Sequence, residues 1–221
     1  MGILFTNLGD AAITLPVALI CAAWVAWFDV RLACRWIGAL AAGMALVGAT
    51  KILYAGWGIS FPASGFRVIS GHTMLSTSVW MVVITLQLKW WRQPPLLGVV
   101  AGTLVGLLTG ISHVRDHSHT LPEMLSGWVL GALVGMAFLR AVLKTEFEHP
   151  RPSWSAISVL LVSTLAYGHK APIQNVIEAN AQGIHRRAPS VNALFGRIRS
   201  LGSTLTAPPP PTDVPPHGPV P

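Results

Sequence analysis

The chain has 221 residues, of which 52% are hydrophobic and only 10% charged, with a mean hydropathy of +0.57. Ordinary soluble domains carry roughly 25% charged residues, so this composition excludes a soluble globular protein. The formal charge of +7 comes from 15 Lys and Arg against 8 Asp and Glu, and the basic residues sit between apolar runs rather than in an aromatic-laced patch, which excludes a nucleic-acid partner.

Six apolar runs follow in chain order, at 11–28, 36–57, 72–90, 95–114, 121–143 and 154–167. Most approach the roughly 20 residues that a helix needs to cross the hydrocarbon core. The expected fold is all-α, a polytopic transmembrane bundle of six membrane helices spanning residues 1–168. Residues 169–206 form a basic, amphipathic segment with Ile173, Val176, Ile177, Ile184, Leu194 and Ile198 as apolar positions. Residues 207–221 are so rich in proline that a largely disordered tail is expected. The first residues carry no positive charge of the kind a signal peptide needs, so the first helix is expected to remain. Cys21 lies in the first run and Cys34 in the connection after it, roughly 20 Å apart if one helix carried both. That separation argues against a disulfide.

Orientation follows from the loops. Arg31 and Arg35 lie after the first run, Lys89 and Arg92 after the third, and Arg140, Lys144 and Arg151 after the fifth. The positive-inside rule makes these connections cytoplasmic, which leaves the opposite loops outside. Gly98, Gly102, Gly106 and Gly110 recur every fourth residue on the fourth run, as do Gly127, Gly131 and Gly135 on the fifth. Such stripes let backbones approach closely and are expected to hold these two helices together.

The outer side gathers the chemistry. Lys51 lies near the end of the second run, where an ionisable group at membrane depth is a functional candidate or a snorkelling lysine. Arg67-Val68-Ile69-Ser70-Gly71-His72 leads into the third. Ser70 can act as a plain N-cap, or the helix start can bind an anion. Ser112-His113-Val114-Arg115-Asp116-His117-Ser118-His119 continues into Thr120-Leu121-Pro122-Glu123. His119 and Glu123 are four apart, so on one helix the carboxylate meets the imidazole and fixes its tautomer. Thr120 and Glu123 also fit a capping box, in which Glu123 only satisfies the helix start.

These residues carry a resemblance to the type 2 phosphatidic acid phosphatase and vanadium haloperoxidase superfamily. Lys51 matches its first motif, Ser70-Gly71-His72 its second, and Ser112, His119 and Glu123 its third. The resemblance runs from Lys51 to the end of the fifth run. It implies a helical bundle and transfer of a phosphoryl group through a phosphohistidine, with no metal and no cofactor. His119 would be the nucleophile, Glu123 its orienting carboxylate and His72 the proton donor. Lys51 and the amides of Ser70 and Gly71 would bind phosphate, with Ser112 and His113 beside them. Three positions depart from the family pattern. Gly58-Ile59 stands where Arg-Pro is expected, His113 replaces an arginine, and Glu123 replaces an aspartate. Arg67 and Arg115 are expected to supply the missing positive charge.

The resulting expectation is a lipid phosphate or lipid diphosphate phosphatase of the bacterial inner membrane, its site facing the periplasm. The partners would be membrane lipids and a lipid phosphate substrate. Two other readings stand beside it. One is a metallohydrolase using His113, Asp116, His117 and His119 as zinc ligands. The other is a non-catalytic phospholipid-binding or transporting protein on the same scaffold.

Overall fold

The computed structural model describes residues 9–60, 65–147 and 151–166, together with position 193. The expected amphipathic segment and proline-rich tail therefore lie outside the described residues. Within them the chain forms six helices: α1 Ala11–Ala26, α2 Val30–Trp57, α3 Gly71–Trp90, α4 Pro95–Arg115, α5 Leu121–Val142 and α6 Pro152–Ala166. The fold is all-α, as the hydropathy pattern implies.

Local chemistry sets the helix ends. Asp10 caps α1, its Oδ1 accepting from the Ala12 amide at 2.9 Å. Asp29 does the same for α2, accepting from the amides of Arg31 and Leu32 at 2.8 and 3.2 Å. That cap starts α2 six residues before the apolar run begins. Arg31 and Arg35 are therefore exposed on its first turns, and Cys34 lies on the helix rather than in a connection. Both cysteines are free. At the other end Gly58 takes the left-handed conformation, φ 66°, and its amide donates to the Tyr54 carbonyl at 2.8 Å. This is a glycine helix stop. Where the superfamily places Arg-Pro, this chain ends a helix.

The central element is α3, which packs against all five other helices. Its side chains Ser76, Thr77, Ser78 and Thr85 are fully buried. Thr77 and Ser78 return their hydroxyl protons to the carbonyls of Thr73 and Met74 at 2.7 and 2.9 Å, and Ser76 pairs with Thr109 of α4 at 3.0 Å. The glycine stripes close on this helix, and the expectation that they join α4 to α5 is corrected. Side chains added at Gly98, Gly102 and Gly106 of α4 would run into Thr85, Met81 and Thr77 of α3. Gly131 of α5 faces the carbonyl of Met74, where a Cβ would stand 2.5 Å away. A small-residue stripe reveals a close approach but not which helix makes it. Here α3 lies between the two. Gly110, which meets Met124, is the position where α4 and α5 touch through the stripe.

Helices α2, α4 and α5 are long and apolar enough to cross a membrane. At 16 and 15 residues, α1 and α6 are apolar but shorter, while the 20-residue α3 is too polar to qualify by composition. The outward faces are apolar as well: Leu104 and Leu108 on α4, Leu125, Val129 and Leu133 on α5, and Leu160 and Leu165 on α6 are all exposed. A bundle with polar groups inside and leucines outside is a helical membrane protein.

The two ends of the bundle differ. At one end Lys89 Nζ donates to the carbonyls of Val142, Leu143 and Thr145 at 2.7, 3.2 and 2.6 Å, capping the C-terminus of α5. Phe147 packs edge to face against Phe28 and Trp90 beside it, and those two rings are tilted to one another. The other end carries the polar cluster.

Candidate functional site

Glu123 is the hub of that cluster. It is fully buried at the third position of α5, and both of its carboxylate oxygens are engaged. Oε1 accepts from the backbone amide of Arg67 at 3.1 Å and from its Nε at 3.0 Å. Oε2 accepts from His119 Nδ1 at 3.0 Å and from the Thr120 amide at 3.1 Å. Four donors converge on one side chain, which suits the ionised form. Capping and orienting are thus not rivals here, because the same oxygen does both. His119 reaches Glu123 from just ahead of the helix rather than from its face, since Thr120 is the N-cap.

With Nδ1 held by Glu123, His119 keeps Nε2 free of any partner among the described residues. The side chain is only 12% exposed. Burial pushes its imidazole below the ordinary histidine value, while the bond to Glu123 opposes that shift and Lys51 and Arg67 add to it. Arg67 is 43% exposed on its side chain and its guanidinium also lies over the Tyr54 ring, 6.0 Å from the centroid. The hydrogen bond to Glu123 raises its already high pKa further.

The loop before α3 is tied to the start of α5. The Ser70 amide donates to the Glu123 carbonyl at 3.1 Å, and the Ser70 hydroxyl pairs with Thr73 at 2.9 Å while capping α3. Both polar groups of Ser70 are therefore committed to structure, so it is the Gly71 and His72 amides at the helix start that have no partner among the described residues. Lys51 reaches this point from α2, its Nζ 4.0 Å from where a Gly71 side chain would begin.

The histidines assemble from three elements. The rings of His72 on α3 and His113 on α4 lie 4.6 Å apart, and His113 and His119 lie 6.1 Å apart. His113 is 6% exposed and its buried Nε2 has no hydrogen-bond partner among the described residues. Ser112, also expected at the phosphate, donates its hydroxyl proton to the Thr109 carbonyl at 2.7 Å. Arg115 is exposed on the last turn of α4 and, among the described contacts, makes none to the cluster. The expected compensation by two arginines is thus reduced to Arg67, and that guanidinium is anchored on a carboxylate.

Asp116 and His117 are exposed, and among the described residues no group of three or more His, Cys, Asp or Glu gathers at metal-binding distance. His117 has a structural part instead. Its φ of 54° ends α4, with its amide donating to Val114 and that of Ser118 to His113 at 3.1 and 3.0 Å. This is the Schellman pattern that usually takes glycine.

One site residue was missed in the sequence reading. Asp10 interacts electrostatically with both His72 and His113, and Gly9 packs against Thr109 and the His72 carbonyl. An acidic N-cap at the start of the first apolar run, on the side of both motif loops, was the available signal.

No family model matches the chain, and no solved structure matches it. A curated relative from Klebsiella pneumoniae, an uncharacterized 22.5 kDa protein in cps region, is 26% identical over 181 residues, covering 79% of this chain and 87% of that protein.

Proposed function

We propose that the protein is a membrane-embedded lipid phosphate or lipid diphosphate phosphatase that works through a phosphohistidine. The observation that carries this reading is the His119–Glu123 bond, which leaves one imidazole nitrogen available beside Lys51 and an open helix start. On this reading a nucleophile, its orienting carboxylate and donors for phosphate oxygens gather at one end of the bundle.

In the reaction His119 Nε2 attacks phosphorus while Glu123 keeps the Nδ1 proton in place and stabilises the imidazolium that forms. The bond from phosphorus to the lipid oxygen breaks, and that oxygen takes a proton from His72. Water then attacks the phosphohistidine, returns a proton to His72 and releases phosphate, which regenerates His119. Lys51 and the Gly71 and His72 amides balance the charge on the phosphoryl oxygens, the electrostatic work this reaction needs most. The resemblance to the type 2 phosphatidic acid phosphatase superfamily supports the same roles.

The site belongs, on this reading, to the periplasmic face of a bacterial inner membrane. Arg31, Arg35, Arg92, Arg140, Lys144 and Arg151 are exposed, and by the positive-inside rule their end of the bundle is cytoplasmic. The bacterial source of the relative is in keeping with this.

A second reading is favoured by the commitment of Arg67 to Glu123, which limits fixed positive charge at the phosphate. It is a protein that binds a phospholipid headgroup without turnover. Purified protein offered phosphatidic acid, phosphatidylglycerol phosphate and a polyprenyl diphosphate separates the two. Phosphatase activity requires phosphate release and an acid-labile phosphoenzyme that His119→Ala abolishes. Lipid binding with neither product sinks the enzymatic reading.

A further inference from the structure

We infer that His113 is an oxyanion-binding residue that serves only as the cation, so that protonation of the His72–His113 pair switches the site's hold on a phosphate group. This rests on the phosphatase reading and adds how that site is regulated.

The first ground is the Nε2 of His113, buried and, among the described residues, without a partner beside two other histidines. Buried nitrogens are nearly always bonded, so a lone one beside the histidine cluster is open to an acceptor brought by a ligand. The second is position. The His113 ring stands between those of His72 and His119, at 4.6 and 6.1 Å, where a group held by the nucleophile and the proton donor would meet it. The third is charge. A phosphate monoester carries about −1.5 to −2 near neutral pH. Against this the basin offers Lys51 and an Arg67 already paired with Glu123. Among the described residues at this end of the bundle, the group placed to add a third positive charge is a histidine.

The surroundings define what governs that charge. His72 faces His113 from α3, His119 and Asp116 from the connection to α5, and Asp10 from ahead of α1. Lys51 of α2 acts on His72 and His119. The two aspartates favour an imidazolium, and the neighbouring cations oppose it. An imidazolium buried without a counter-charge is costly, so the proton and the anion enter together.

The test measures binding rather than turnover, using the full chain in detergent and tungstate at micromolar concentration as the probe, because that dilute oxyanion stays a monomeric dianion across the range. The dissociation constant is read between about pH 5.5 and pH 8, where an unperturbed histidine titrates. Wild type should weaken by about tenfold over that span, the size of one added charge-assisted contact. His113→Asn should bind weakly throughout and lose most of the slope. Asp10→Asn keeps a good N-cap and the fold while removing one anion, so its midpoint should move to lower pH. An unchanged slope in His113→Asn, or an unmoved midpoint in Asp10→Asn, overturns the inference while leaving the phosphatase reading intact. Absence of tungstate and inorganic phosphate binding at every pH overturns both.

Discussion

The amide of Ser70 donates to the carbonyl of Glu123 at 3.1 Å, which joins the start of α3 to the first turn of α5. One turn further along α5, Gly127 leaves room for the Ser70 carbonyl, on which a side chain would collide. The open start of α3 is therefore positioned by the helix whose first turn carries the partner of His119.

Gly127→Ala tests that coupling. The added methyl has backbone in its way rather than a flexible side chain, so overpacking should cost about 1–3 kcal/mol. Turnover should fall further than thermal stability accounts for, because α3 and α5 move apart at the site. Full activity in a destabilised variant would show that the two motifs are not held in register by this contact.

Glu123→Gln should reduce stability and activity together. It replaces an acceptor of four hydrogen bonds and leaves Arg67 without its ion pair, although the 43% exposure of that side chain lets water soften the loss. The expected cost is about 1–3 kcal/mol. Adding Arg67→Met should restore part of the stability and none of the turnover. Recovery of turnover in the double variant would mean that Glu123 does not act through His119.

His117→Gly should do the opposite. A non-glycine residue in the left-handed region costs about 1–2 kcal/mol, and glycine removes that strain. The variant should melt at a higher temperature with unaltered kinetics, as measured by thermal unfolding and phosphate release. A loss of activity would draw His117 back into the chemistry.

The depressed pKa of His119 has a pH signature. On the proposed mechanism His119 attacks as the neutral imidazole, so the acid limb of kcat/KM should fall below the ordinary histidine value of about 6.5. The same shift acts on stability. Below the unfolded pKa the unfolded chain binds the proton more readily, so this contribution is complete above about pH 6.5 and is lost as pH falls through the folded value. Denaturant midpoints measured against pH for wild type and His119→Asn should converge on the acid side. Parallel curves would mean that His119 is not buried in solution as it is in the fold.

How far the sequence reached can be judged from particular positions. The apolar runs locate the six helices to within two residues at every end except the start of α2, because span length and hydropathy are local properties. The start of α2 was read late, since the arginines of its first turns hide an Asp29 cap that precedes them. The spacing of His119 and Glu123 pointed to their contact, although the geometry runs through a capping loop. What spacing could not supply was partnership across helices. Nothing along the chain says that Arg67 binds Glu123, that Asp10 faces two histidines, or that both glycine stripes meet α3.

That last arrangement bears on how the chain enters the bilayer. As α3 emerges, its buried hydroxyls and His72 face lipid until its neighbours arrive, and its own hydropathy falls short of a span. The close fit of Gly98, Gly102 and Gly106 against it makes α4 the first neighbour able to cover those groups, and α4 follows after a four-residue connection. The two helices should therefore insert as a hairpin. A reporter fused after Trp91 should stay on the side of the loop between α2 and α3, whereas in a chain extended through Arg115 the connection between α3 and α4 should reach the opposite side.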